Sequence, residues 1–201
     1  SVDLVGIHAH IGSQVFAVGS LGKAAGVIGE IALNHEFEEL SVGGGLGVPY
    51  VEDERAPTIA EWGRVVRDAC VEAGVSARIT AEPGRSIAAA AAITLYTVGT
   101  IKDLPGIRTY VAVDGGMSDN PRPVLYGSGY ETFLPRDVGA DRTKRVTVVG
   151  KHCESGDILV REGLVPADIV VGDVLATPVT GAYGHSMGSN YNMVLRPPVV
   201  F

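Results

Sequence analysis

The chain has 201 residues, 46% of them apolar and 19% charged, with a formal net charge of −7. That length holds one large domain or two small ones with a proper core, and the apolar content excludes disorder. The acidic balance excludes a nucleic-acid surface, and no apolar stretch spans a bilayer, the run 87–98 being alanine-rich and too short.

Residues 1–5 enter a strand pattern at once, without methionine or signal peptide, and the chain stops on the apolar run 198–201. Both edges read as cuts within a longer polypeptide. Residues 2–11 read as an extended segment in which His8 and His10 share one face, because side chains two apart on a strand point the same way. Residues 21–33 carry Ala24, Val27, Ile28 and Ile31 at helical spacing, weakened by glycines. Residues 37–42 form an expected strand that breaks at Gly43-Gly44-Gly45. Thr58 and Glu61 spell a capping box after Pro57. Trp62, Val65, Val66, Ala69, Cys70 and Ala73 then mark one face of a helix that stops at Gly74. Residues 75–81 are the next strand. Alternating strands and helices with short loops predict a parallel sheet or barrel, with both glycine-bearing loops at carboxyl ends of strands, where such folds place their sites.

After about Ala92 the texture changes. Residues 93–100, 109–113, 145–149, 158–161 and 170–178 are short β-rich runs divided by Gly, Asp and Pro, with no evident helix among them. The expected organisation is an α/β part over 1–92 and a mostly β domain over 93–201.

Two segments, 41–49 and 80–85, are built to bring bare backbone against an anion. The triple glycine gives backbone N–H groups an open approach to a phosphate, although a strand-ending turn explains it equally well. It lacks both the spacing of a dinucleotide site and the lysine of a P-loop. In Glu82-Pro83-Gly84-Arg85 a carboxylate and a guanidinium project from one tight turn, unless they simply pair with each other. The four lysines, Lys23, Lys102, Lys144 and Lys151, lie outside both segments, so none is obviously placed to hold a cofactor covalently.

His8 and His10 lack a third ligand at a telling spacing, and no metal is expected. Cys153 lies in Lys151-His152-Cys153-Glu154-Ser155-Gly156-Asp157, whose polar neighbours suit an accessible thiol; Cys70, on an apolar helix face, reads as core. Two cysteines in such unlike contexts point to a reducing, cytoplasmic compartment. Tyr183, and Arg122 with Tyr126, sit in irregular Gly- and Pro-rich segments of the kind that serve a site or an interface.

Taken in order, HIGSQ, GGGLG, EPGR, DGGMSDNPRPVLY, HCESGD and GAYGHSMGSNYN resemble the diaminopimelate decarboxylases, and the resemblance runs in register from end to end of the chain. These belong to the alanine-racemase-like, fold-type III class of pyridoxal-phosphate (PLP) enzymes. The resemblance implies an α/β plus β fold: the C-terminal part of a PLP-binding (β/α)8 barrel followed by a mostly β domain. It also implies that the Schiff-base lysine lies outside this chain, so residues 1–201 alone are expected to be inactive.

Carried over by motif, Ser13, Gly43, Gly44, Gly45 and the turn Pro83-Gly84 would hold the cofactor phosphate. His10 would stack on the pyridine face, Glu82 would pair with the ring nitrogen, and Tyr183 would touch both cofactor and substrate. Arg85, Arg122 and Tyr126 would grip the substrate's distal carboxylate, Arg85 at the edge of the cofactor cradle. Glu154 would receive the distal ammonium, and Cys153 would protonate the carbon that loses CO2. The resemblance further implies a homodimer in which Cys153 and Glu154 serve the neighbouring subunit's site.

One departure is Gly129, where a larger residue, often arginine, is expected; it bears on loop packing. His8, Asp119, Asn120, Asn190 and Tyr191 fall in matched motifs without an assigned role. The implied reaction is decarboxylation of meso-2,6-diaminopimelate to L-lysine. The nearest rival is a sister decarboxylase acting on ornithine, arginine or carboxynorspermidine, and Glu154 counts against it because the ornithine and arginine enzymes carry aspartate after the cysteine. A non-catalytic paralogue with a binding or regulatory role is a rival of another class.

Overall fold

The computed structural model describes residues 2–201, so the part of the expected opening strand that falls on Ser1 lies outside the described residues. In the first of two units, formed by residues up to Pro49 and by Asp53–Ala88, strand and helix alternate. The order is β1 (Gly6–His8), α1 (Val18–Asn34), β2 (Glu39–Ser41), α2 (Ile59–Glu72), β3 (Arg78–Thr80) and the short α3 (Gly84–Ala88). The strands make a parallel sheet in the order β1-β2-β3, with Ile7, Leu40 and Ile79 in register. Each ladder is shorter than the apolar run that announced it. Apolar residues continue beyond the paired ones because they pack beneath the helices: Ala9 and Val42 after β1 and β2, and Val75 and Ala77 before β3, all lie against the core of Leu40, Trp62 and Val66.

The start of α2 follows its sequence signal. Thr58 Oγ1 accepts from Glu61 N at 3.1 Å, and the Glu61 carboxylate accepts from Thr58 N at 2.7 Å, closing the capping box. The bonds that this carboxylate accepts from Thr58 N and then from Thr58 Oγ1 hold the Glu61 pKa below the ordinary carboxylate value. Thr58→Ala is expected to lower stability by about 1 kcal/mol, the usual cost of a lost cap, read as a fall in thermal midpoint. The helix buries Trp62, Val66 and Cys70, and the chain leaves it through Gly74 at φ +70°.

Helix α1 turns a different face inward from the one expected. Val27 and Ile31 are exposed, and the buried stripe is Leu21, Gly22, Ala25, Ile28, Gly29 and Ala32. Close packing is the reason. A Cβ on Gly22 would stand 2.5 Å from Val65 Cγ1, and one on Gly29 would stand 2.8 Å from Val75 Cγ2. Gly22 and Gly29, which weaken the helical pattern, lie on the face through which the helix docks.

The second unit comprises Tyr50–Glu52 and Ala89–Phe201, so the division falls at Ala88/Ala89 and a three-residue segment from the earlier part of the chain joins it. Its elements are β4 (Thr94–Leu104), β5 (Arg108–Val113), α4 (Arg122–Tyr126), β6 (Lys144–Val149), β7 (Ile158–Val165), β8 (Val174–Thr177) and α5 (Gly184–Met187). The run expected over 170–178 keeps only its later part as strand. Its first residues turn instead, with Val170 N donating to Asp173 Oδ2 at 2.9 Å. Helices α4 and α5 are additions, each barely one turn and too short to show periodicity.

The sheet runs β7-β6-β5-β4-β8, antiparallel except for the parallel pair β5/β6. Alternation along β5 buries Thr109, Val111 and Val113, which join Tyr96, Val98, Val146, Val148, Leu159 and Leu175 in the core. The pairing has a topological result. β5 and β6 are parallel, and Thr177 at the end of β8 pairs with Thr94 just beyond the Val98–Val113 pair. The chain therefore leaves β5, β6 and β8 at one end of the sheet.

Candidate functional site

In the first unit the segments following β1, β2 and β3 meet at the carboxyl end of the sheet. Glu82 stands two residues past β3 with its side chain largely solvent-accessible. Its Oε1 accepts from Ser41 Oγ at 2.9 Å and lies 3.4 Å from His8 Nε2. His10 Nδ1 accepts from Gly44 N at 3.2 Å, which leaves the ring proton on Nε2 and fixes the imidazole plane. Arg85 is buried, and its Nη2 donates to Ser13 Oγ at 3.0 Å. Glu82 and Arg85 thus each take a partner on another strand-end segment.

The triple glycine owes its composition to close approach. A Cβ on Gly44 would meet Glu82 O at 2.2 Å, and Gly43 and Gly45, at φ +66° and +98°, press against Ala9 O and Gly12 O. The three segments interlock through backbone, and Glu82 N donates to Gly43 O at 2.7 Å. The strand-ending-turn reading thus describes what these glycines do for the fold. Pro83 and Gly84 form the bend that starts α3, with Gly84 N on Glu82 O at 2.8 Å.

In the second unit the residues after β5, β6 and β8 gather at the shared end of the sheet. Arg122, at the start of α4, is buried. Its guanidinium lies over the rings of Tyr50 at 5.1 Å and Tyr126 at 5.3 Å, and its Nη2 donates to Ser128 Oγ at 3.2 Å. Tyr50 meets Tyr130 edge-on at 5.1 Å. Burial pushes the Tyr130 phenol up to about 12, with Arg122 pulling in the opposite direction. Tyr126 is exposed.

Cys153 and Glu154 are exposed on the β6–β7 loop, while the residues flanking them are clamped. Asp157, almost wholly buried, accepts from Met117 N at 2.6 Å and from His152 N at 2.8 Å, tying this loop to the one after β5. His152 is buried too, with its Nε2 2.9 Å from Ser118 Oγ. Next to Ser118 in sequence, Asp119 accepts at Oδ2 from the Tyr96 phenol at 2.7 Å. Burial raises both the Asp119 carboxyl and the Tyr96 phenol, the latter well above its ordinary value and further raised by Asp119. Cys70, unlike Cys153, is buried within the first unit, and burial raises its thiol pKa. Tyr183 is exposed at φ +67°, immediately before α5. Tyr191, farther along, donates its phenol to Glu154 Oε1.

Within the first unit the structure joins His10 to Gly44 and Ser13 to Arg85, and sets Glu82 against the glycine turn. Within the second it joins Arg122 to Tyr126 and places Cys153 beside Glu154 on one anchored loop. Sequence reasoning gave no role to Ser41, Tyr50, Ser118 or Asp157, and left His8 and Tyr191 unassigned. The quoted motifs carried a usable signal for some of these: HCESGD contains His152 and Asp157, DGGMSDNPRPVLY contains Ser118, and GAYGHSMGSNYN contains Tyr191. Among the described residues no three His, Cys, Asp or Glu side chains are grouped to hold a metal, and no helix is long and apolar enough to cross a membrane.

Over 208 residues the chain is 49% identical to the diaminopimelate decarboxylase of Actinosynnema pretiosum subsp. auranticum, covering 100% of this chain and 47% of that protein. It is 44% identical over 210 residues to that of Synechocystis sp., covering 100% of the chain and 45% of the relative. The solved diaminopimelate decarboxylase of M. jannaschii in co-complex with L-lysine superposes with a TM-score of 0.87 at 32% identity, over 96% of this chain and 45% of that one. The chain thus spans about half the length of the curated relatives it matches. Residues 16–181 match the family described as pyridoxal-dependent decarboxylase, C-terminal sheet domain, and the chain belongs to that family.

Proposed function

We propose that the polypeptide containing this chain is a PLP-dependent carboxy-lyase that removes CO2 from the D-centre of meso-2,6-diaminopimelate to give L-lysine. One observation carries the reading: an exposed thiol and an exposed carboxylate, Cys153 and Glu154, stand side by side on a loop whose base is clamped by Asp157 and His152. A proton donor next to a receptor for a distal ammonium suits a diamino diacid. The relatives named above carry the name of that activity.

The donor set of the first unit fits the cofactor. Glu82 offers a largely accessible carboxylate, oriented by Ser41 and His8, to a protonated ring nitrogen. Arg85 and Ser13, already joined to each other, offer a guanidinium and a hydroxyl to a phosphate beside Gly43, Gly44, Gly45, Pro83 and Gly84. His10, held by Gly44 N, offers a ring face for stacking. PLP, when bound, supplies the electron sink for charge left on carbon by loss of CO2. The lysine that would join it covalently is assigned to none of the four lysines here.

In the second unit Arg122, braced between Tyr50 and Tyr126, serves the substrate's distal carboxylate. Glu154 takes the distal ammonium, Tyr183 contacts cofactor and substrate, and Cys153 gives its Sγ proton to carbon. In the same reading the three parallel strands are the last of a (β/α)8 barrel. Support comes from the parallel order β1-β2-β3 with α1 and α2 between successive strands. The assembly is a cytoplasmic homodimer with Cys153 and Glu154 acting across the interface.

The test supplies the full-length polypeptide with PLP and, separately, meso-diaminopimelate, L-ornithine and L-arginine, and measures CO2 release. Release from diaminopimelate alone is expected. Preference for ornithine or arginine would move the assignment to the sister enzymes, and no release from any would favour a non-catalytic role.

A further inference from the structure

The structure points to a second-unit device that no motif assignment includes. Tyr191 sits in a one-turn 3-10 segment, Tyr191–Met193, whose backbone is unusual: Asn192 and Met193 adopt φ of +53° and +61°, a region that side chains disfavour. The turn is held shut from both sides. Asn190 Nδ2 donates to Val194 O at 3.0 Å, and Ser189 N donates to Ser118 O at 2.7 Å. Ser118 Oγ in turn meets His152 Nε2 at 2.9 Å, and the His152 ring meets the Tyr191 ring edge-on, centroids 5.4 Å apart. The contacts therefore close a circuit through Ser189, Ser118, His152 and Tyr191. What leaves the circuit is one phenol hydroxyl, donated to Glu154 Oε1.

A solvent-facing tyrosine does not need a left-handed backbone, two closing bonds and a buried histidine beneath its ring. Glu154 is otherwise an exposed side chain on an exposed loop, with several rotamers of similar energy. We infer that Tyr191 is a positioning residue that holds the Glu154 carboxylate in one orientation, with Oε1 engaged and Oε2 presented, so that selection of a substrate with a distal ammonium depends on it. The inference rests on the proposed role of Glu154 and adds to it. The phenol is suited to remain a donor: its hydrogen bond to Glu154, and then that residue's charge, raise its pKa above the ordinary tyrosine value.

The test is a double-mutant cycle in the full-length PLP-loaded enzyme, with Tyr191→Phe, Glu154→Gln and both together. Tyr191→Phe keeps the ring on His152 and removes only the donor. It is expected to raise KM for meso-diaminopimelate about tenfold and change kcat less than about threefold, as loss of one hydrogen bond to a charged group would. Thermal midpoint and cofactor absorbance should stay at wild-type values, which separates positioning from folding. In the Glu154→Gln background the same change should have almost no further effect, because the two residues act as one unit. Independent, additive effects would overturn the inference, as would an unchanged KM in Tyr191→Phe while Glu154→Gln raises it. An unchanged KM in Glu154→Gln would remove the assignment of Glu154 itself, and the inference with it.

Discussion

Cys153→Ala in the full-length enzyme is expected to lower kcat by about 10²–10⁴-fold, the contribution of a positioned proton donor, while KM stays close to wild type. The expectation follows from the loop's construction. Asp157 and His152 bind its base through backbone amides, so removing the exposed thiol leaves both clamps in place. Substrate contacts through Arg122 and Glu154 would be untouched, and the loss should fall on the step in which carbon acquires a proton. Steady-state kinetics with meso-diaminopimelate decide it. A variant with wild-type kcat would exclude Cys153 as the acid, whatever the fate of the other assignments.

A second large effect is expected at Glu82. Glu82→Gln preserves size and can still meet Ser41 Oγ, but removes the negative charge that a protonated ring nitrogen would face. Loss of a charge-assisted hydrogen bond worth about 3 kcal/mol corresponds to a fall in kcat of about 10²-fold. PLP should still bind, because the bond between Arg85 and Ser13 does not involve the Glu82 side chain and is kept. Absorbance of the bound cofactor and kcat are read on the same sample. Cofactor retained with activity lost is the expected outcome; unchanged kcat would detach Glu82 from the ring nitrogen.

Local chemistry was legible wherever cause and effect lie within one turn of chain. Thr58 and Glu61 are three residues apart, and their reciprocal bonds form as the letters suggest. The β-rich runs of the second unit were legible for the same reason, since alternation along a strand such as β5 reports which face is buried. Helix α1 was legible only in part, because reading by hydrophobicity favours the largest apolar side chains, whereas its buried face sets Gly22, Ala25, Gly29 and Ala32 beside Leu21 and Ile28. A face chosen for how closely it lets a neighbour approach looks weak in any apolar count.

The candidate site divides along the same line. Glu82, Arg85 and Cys153 stood out because their neighbours in sequence are odd for a surface turn. Ser41, His8 and Tyr191 did not, because what they do is defined by partners 41, 74 and 37 positions away: Glu82 for the first two, and Glu154 for Tyr191. A single sequence carries no record of which distant side chains meet.

The hairpin joining β4 to β5 lies at the opposite pole of the second unit's sheet from the loops after β5, β6 and β8. Its tip is open: Ile107 is 79% exposed, and a Cβ on Gly106 would meet nothing within 4 Å. The second-unit residues assigned to the reaction and the open hairpin thus lie at opposite ends of the same strands. The hairpin offers an anchoring point where a dye or a solid support can be attached without reaching the residues assigned to the reaction.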